Sequence, residues 1–286
     1  ICLADVRPDG LTLPRGLVST LLKHYPKIQI IDRTVLSPER FRPSRILLKD
    51  YQEEALAALL RKNQGILVSP PGSGKTILGI ELMVHRGQRT LVLCHTIDLV
   101  RQWVSRFEQF TDIEPGIIQG DTYEIRDVTI GTVQSLTRPL DHSFTRQFGM
   151  VLLDECHHVP AATFQQLVDQ FPACYRYGLT ATPEREDGLG FIITAVLGPI
   201  IHQVEKDTLV ANGSILNPTV KVVQTGTYIP FVESYQELLA KIVKDEARNR
   251  LIVSYILKEA AAGHYCLIIS ERIKHARELH RRFMEQ

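Results

Sequence analysis

Among 286 residues there is one tryptophan, aromatic residues make up 7%, and the five cysteines lie far apart and form no C-x-x-C pair. An odd, scattered set of thiols offers neither a disulfide framework nor a zinc ribbon, and it fits a reducing compartment. No apolar run approaches the roughly 18 residues that a membrane span requires, so no membrane partner is expected. The first ten residues mix Asp5, Arg7 and Asp9 with apolar neighbours. That pattern resembles neither a signal nor a transit peptide, and a cytoplasmic location is expected. Excess charge is lacking too: with a net charge of +1, attraction to a nucleic acid would have to come from local stripes of Lys and Arg. Cys156-His157-His158 invites a metal reading, but adjacent residues of an extended segment point apart and no second ligand pair lies nearby at zinc spacing.

What is present is a phosphate-binding loop. Residues 69–76 read S-P-P-G-S-G-K-T, after the apolar run Ile66-Leu67-Val68 and before a helical stretch, so strand, tight loop and helix meet there. Pro71, Gly72, Ser73 and Gly74 form the turn whose backbone N–H groups can curl around phosphate oxygens. Lys75 can reach the β- and γ-phosphates, and Thr76 can offer a hydroxyl to magnesium. Ser69 and two prolines stand where the usual pattern opens with Gly or Ala; a small residue still fits. The ligand expected is Mg·NTP, but the loop alone does not separate kinase, GTPase, transporter and helicase.

The length favours two compact domains. Residues 1–45 read as a small appendage: a possible strand, the turn Pro8-Asp9-Gly10, a helix near 15–24 and a strand near 28–31. Pro38 and Pro43 then mark a linker. A helix is expected from Asp50, with Asp50 as N-cap and Glu53 completing a capping box. Strands at 66–68, 90–94, 127–131, 150–153 and 175–179 alternate with helices. This predicts an α/β domain with a parallel sheet covered on both faces. Beyond the punctuation at 212–218, helices at 231–245, 247–262 and 271–284 and a strand at 265–270 suggest that a second α/β unit begins. The division expected is 1–45, 46–210 and 211–286.

The strand 150–153 ends in Asp154 and Glu155, and doubly wound sheets bind ligands beyond the carboxyl ends of their strands. Asp154 suits the magnesium that Thr76 also binds; Glu155 suits the general base that orients and deprotonates the attacking water. Trp103 lies at helical spacing with Leu99, Val100 and Phe107, which places it in the core, with base stacking as the alternative.

Asp154-Glu155-Cys156-His157 resembles the DExH box of superfamily 2 helicases, and Leu179-Thr180-Ala181-Thr182-Pro183 resembles their third motif; with G-S-G-K-T, the order is specific. The resemblance spans about residues 47–280 and implies RecA-like folding of the ATP-binding domain. It also implies that His157, Thr180 and Thr182 couple the γ-phosphate site to nucleic acid. Leu47-Leu48-Lys49-Asp50-Tyr51-Gln52 is similar to the segment upstream of the P-loop in the XPB, UvsW and RecG-like branch, where the glutamine reads adenine; Gln52 would then select ATP. Residues 95–103 resemble motif Ia and residues 131–136 the G-T-x-Q-S-L segment, so Thr96, Arg101, Gln102, Thr132 and Gln134 are nucleic-acid candidates. Phosphate contact without base reading is expected of them. Arg185-Glu186-Asp187 resembles the R-E-D motif of strand separation, and 269–276 resembles motif IV.

The resemblance therefore implies a nucleic-acid-dependent ATPase of the helicase or translocase type, with DNA as the better partner than RNA. A place in a larger repair, restriction or defence assembly is possible in that family. Motifs V and VI are missing from these residues, and the latter supplies an arginine finger typically worth about 10³–10⁵ in rate. These residues alone are thus expected to bind ATP and hydrolyse it poorly. Competing readings are a duplex translocase that does not unwind, a nucleotide-dependent clamp and a small-molecule P-loop kinase.

Overall fold

The computed structural model describes residues 5–8, 10–137, 139–155, 161–182, 190–229 and 231–286. The chain divides into two compact units, Ile1–Asn217 and Pro218–Gln286. Residues 1–45 lie within the first.

That unit opens with a small hairpin, β1 (Asp5–Arg7) and β2 (Gly10–Thr12), then helix α1 (Val18–His24). The chain next alternates α2 (Asp50–Leu60), β3 (Gln64–Val68), α3 (Lys75–Arg86), β4 (Thr90–Cys94) and α4 (Ile97–Phe110). It continues through β5 (Gly116–Gln119), β6 (Thr122–Tyr123), β7 (Val128–Thr132), α5 (His142–Thr145) and β8 (Met150–Asp154). It closes with α6 (Ala161–Asp169), β9 (Tyr175–Thr180), α7 (Gly190–Leu197), β10 (Ile200–Gln203) and α8 (Lys206–Ala211). One eight-stranded sheet runs in the order β10-β3-β9-β8-β4-β7-β5-β6. Every pairing is parallel except β5–β6.

The expected α/β architecture is therefore present, and the side-chain alternation shows why. Ile66, Val68, Leu91, Leu93, Val151 and Leu153 point to one face, where Phe144, Phe148, Phe171 and residues of α6 and α7 cover them. Leu67, Val92, Leu152 and Leu179 point to the other, under α2, α3 and α4. With both faces buried, β3, β4 and β8 read as almost continuous apolar runs, while β7 and β9 carry the buried Thr129 and Arg176.

Two expectations for this unit need correction. Residues 28–31 form no strand: Ile28, Ile30 and Ile31 are exposed, and an apolar run gains nothing from an extended shape unless a neighbouring strand accepts its hydrogen bonds. Helix α2 has Lys49, not Asp50, as its N-cap, and Gln52 completes the reach-back, its Oε1 accepting the Lys49 N–H at 3.0 Å. Only the reach-back half of the box is formed, one residue earlier than expected, because the Lys49 side chain has no acceptor and the Gln52 N–H donates to the Lys49 carbonyl at 2.8 Å instead. Short β5, β6 and β10 escape the periodicity altogether.

The N-terminal segment is fastened at Gly16, where a Cβ would stand 2.4 Å from the Ala195 carbonyl oxygen and 2.5 Å from Gly198 N. Arg15 beside it donates to the carbonyls of Ala173 and Cys174 ahead of β9.

The second unit holds α9 (Tyr235–Lys244), α10 (Glu246–Ala261) and α11 (Ile273–Met284). These are the three expected helices. The expected strand at 265–270 is not formed: among the described residues it pairs with no other strand. Arg282 joins α11 to α10 by a bidentate pair with Glu246, at 2.7 and 2.8 Å.

Candidate active site

The phosphate loop follows β3 directly. Ser69 N donates to the Thr180 carbonyl at 2.9 Å, which ties the loop to the end of β9. Gly72 and Gly74 turn through φ 81° and 83°, in the left-handed region that glycine adopts without strain. Gly74 is also the N-cap of α3, so the first N–H groups of that helix, with their positive dipole end, face the loop. Proximity gives a second reason for glycine at 74: a Cβ there would lie 2.5 Å from Gln52 Nε2.

From the other side, the Tyr51 hydroxyl and Gln52 Nε2 both donate to the Ser73 carbonyl, at 3.0 and 2.9 Å. Gln52 thus braces the loop with one end of its amide and caps α2 with the other. A second N–H and a second lone pair of the amide are left for an adenine edge. The Ser69 and Ser73 hydroxyls are buried without a hydrogen-bond partner. Buried hydroxyls of that kind are costly unless something accepts from them, and phosphate oxygens at a helix N-terminus fit the need.

Lys75 begins α3. Its Nζ donates to the Ser69 carbonyl at 3.2 Å and forms an ion pair with Glu155 Oε1, also 3.2 Å. Both side chains are largely enclosed, at 9% and 21% exposure, so the attraction is weakly screened. Glu155 takes φ 49°, the one positive φ among described non-glycine residues. That conformation costs of order 1–3 kcal/mol and concentrates at functional positions. Here it turns the carboxylate back over the lysine.

Asp154, the last residue of β8, is buried. Its Oδ2 accepts the Trp103 indole N–H at 2.8 Å and its Oδ1 accepts Glu155 N at 3.1 Å. Burial raises its carboxyl above the usual range, while the Trp103 hydrogen bond opposes that rise; Glu155 adds to the rise and Lys75 counters it. Burial, with Asp154 nearby, also pushes the Cys94 thiol well up. Thr76 opens the same turn of α3 and is buried. A hydroxyl and a carboxylate are the ligands that magnesium takes when phosphates and water complete its shell.

Thr180 ends β9, fully buried, and its hydroxyl donates to the Thr182 carbonyl at 2.6 Å. A groove of about 560 Å³ brings Pro71, Thr96, Gln102, Glu155 and Thr182 together. A second, of about 720 Å³, holds Thr96, Tyr123, Thr132, Gln134 and Ser135. Thr96 caps α4, accepting from Leu99 N at 3.3 Å, and belongs to both. Gln134 Nε2 donates to the His95 carbonyl at 3.0 Å, and the Thr132 and Ser135 hydroxyls pair at 2.8 Å. Arg101 lines neither groove and pairs with Asp98 at 3.3 Å on the surface. His157, Arg185, Glu186 and Asp187 lie outside the described residues. Sequence reasoning placed Trp103 in the core correctly, but gave no sign of its hydrogen bond to Asp154.

A glycine-turned loop at a helix N-terminus, with a strand-end glutamate paired to its lysine, is the arrangement expected of a P-loop nucleotide site, here on a RecA-like sheet. Comparison with known proteins narrows the class. Residues 45–185 match the family described as type III restriction enzyme, res subunit. The DNA 3'-5' translocase XPB2 of Sulfurisphaera tokodaii is 35% identical over 165 residues, covering 58% of this chain and 37% of that protein. The DNA 3'-5' helicase XPB of Mycobacterium tuberculosis is 35% identical over 179 residues, covering 59% and 32%. The solved UvsW helicase of bacteriophage T4 shares the fold, with a TM-score of 0.55 at 21% identity over 71% of this chain and 82% of that one. Over about three fifths of its length the chain is similar to XPB-type DNA helicases and translocases. It spans about a third of the length of the curated relatives it matches.

Proposed function

We propose that the chain is part of an ATP-driven DNA motor, a helicase or translocase of superfamily 2, that couples hydrolysis of Mg·ATP to movement along DNA. The observation that carries this reading is the enclosed Lys75–Glu155 pair at 3.2 Å, on a loop whose buried serine hydroxyls await an acceptor and beside the buried Asp154. When bound, Mg·ATP supplies the electrophilic γ-phosphorus, with its charge partly neutralised by the ion. Lys75 would meet the β- and γ-phosphate oxygens, Thr76 and Asp154 would hold the metal, and Glu155 would orient a water and take its proton. The Lys75–Glu155 pair must separate for both groups to do this, so each holds the other in place until then. Gln52 sets the loop and presents its remaining amide positions to the base.

Thr96, Gln102, Thr132 and Gln134 surround two grooves of hydroxyls, amides and backbone groups, the donor set that contacts nucleic-acid backbone without reading sequence. Thr180 and Thr182, bonded to each other and joined to the loop through Ser69, relay changes between phosphate and groove. DNA as the partner is supported by the names of the XPB relatives. The yeast relative is a subunit of a transcription and DNA repair factor, 31% identical over 231 residues, which supports a larger assembly here as well. The Sulfurisphaera tokodaii relative is a DNA 3'-5' translocase, which supports translocation without unwinding as the second reading. A cytoplasmic place is consistent with the scattered thiols; among the described residues no helix is long and apolar enough to cross a membrane.

The test is ATPase turnover by the full-length protein with single-stranded DNA, duplex DNA and RNA, alongside Lys75→Ala and Glu155→Gln. DNA should stimulate turnover. Glu155→Gln should retain ATP binding and lose at least 100-fold in turnover, the scale of a general base, and Lys75→Ala should lose ATP affinity. Glu155→Gln with wild-type turnover removes Glu155 from its role, and stimulation by RNA alone removes DNA.

A further inference from the structure

The Trp103 indole sits in a close-fitting slot. Gly79 on α3 forms one wall, where a Cβ would stand 2.5 Å from Trp103 Cη2 and 3.0 Å from Leu152 Cδ2. Phe107, one turn on along α4, packs against the ring at 6.0 Å between centroids. Trp103 itself is fully buried. A ring so placed could serve packing alone, but packing needs no N–H, and this one ends on Asp154 Oδ2 at 2.8 Å. With Glu155 N on Oδ1 at 3.1 Å, both oxygens of the carboxylate are held, and its plane cannot rotate without breaking a buried hydrogen bond. A carboxylate that holds a metal gains affinity when a neighbour fixes its orientation before the ion arrives.

We propose that Trp103 is a positioning residue: its indole N–H fixes the Asp154 carboxylate for magnesium and joins the helix that begins at the groove residue Thr96 to the metal side of the nucleotide site. This deepens the reading of Asp154 as a metal ligand and rests on it. The same α4 therefore has its N-terminus in both grooves and its inner face on the metal carboxylate, so a displacement of the helix alters both together.

The experiment measures ATP affinity as a function of magnesium concentration, by fluorescence of a labelled ATP, with no turnover required. Trp103→Phe keeps a ring and removes the N–H. It should raise the magnesium concentration at half-effect by about 10- to 100-fold, the usual cost of losing a group that orients a metal ligand, while ATP affinity without magnesium stays unchanged. Replacing Trp103 by benzothienylalanine, which keeps the bicyclic shape and lacks only the N–H, should reproduce the shift even if the phenylalanine variant folds poorly. Phe107→Leu, a packing change alone, should leave the midpoint in place. Asp154→Asn should remove the magnesium effect, and adding Trp103→Phe to it should change nothing more. If Asp154→Asn abolishes the magnesium effect but the benzothienyl protein keeps the wild-type midpoint, the positioning role is wrong and the metal site stands. If Asp154→Asn itself leaves the effect intact, the metal assignment fails and the inference with it.

Discussion

The two compact units treat similar raw material differently. In the first, Ile66, Leu67, Leu91, Val92, Val151 and Leu152 are at most 1% exposed, because each strand has neighbours on both sides and helices above and below. In the second, Leu267 and Ile269 alternate with other residues just as a strand should, yet both are 86% exposed. Its buried set is small: Val253 and Leu279 with the polar Asn249 and His275. There His275 Nε2 hydrogen-bonds Asn249 Oδ1 and its Nδ1 the Ser270 hydroxyl, each at 2.9 Å, and Asn249 Nδ2 donates to the Val243 carbonyl. Apolar sequence supplies the capacity for burial; partners on both sides turn that capacity into a core. Where few are at hand, a short polar network and charge pairs between helices hold the packing instead.

Substitutions can break that contrast. The largest effect is expected from Phe171→Ala, which empties space between the Phe144 and Phe148 rings, 6.1 and 6.4 Å from it. Chemical denaturation of the first unit should show a loss of about 3–5 kcal/mol. A smaller effect, about 1–3 kcal/mol, is expected from His275→Ala, which leaves Asn249 Oδ1 buried without its donor. Hydrogen exchange should localise that loss to α10 and α11, and protection lost equally in the β3–β9 sheet would dissolve the distinction between the units. Leu267→Ser should change stability by less than about 0.5 kcal/mol, as surface replacements usually do. A large loss there would mean that this side chain is covered in solution and that the contrast is weaker than it looks.

Much of the candidate site's geometry was legible because its causes are local. Glycines that turn a loop, a lysine at the first helical position and acids at a strand end are all set by neighbours in the chain. Of the five central strands, β3, β4 and β8 were legible as apolar runs because both of their faces are buried, and β7 and β9 from the apolar residues that flank Thr129 and Arg176. The short edge strands β6 and β10 could not be found that way: two and four residues carry no period, and β10 is half-exposed. The runs at 28–31 and 265–270 misled for the opposite reason, having the composition of strands without partners. The Trp103–Asp154 bond was illegible because 51 residues separate its ends. Parallel crossovers make them neighbours, and no local pattern records where a crossover returns.

The two margins of the sheet bear on how the protein behaves when crowded. One margin is β6, only two residues long and antiparallel to its neighbour. The other is β10, whose register slips between Ile200 and His202. Six inner strands this apolar would recruit a second molecule edge to edge if a long, flat strand stood at either side. A margin too brief to template pairing and another too irregular to do so make a poor template for that edge-to-edge pairing.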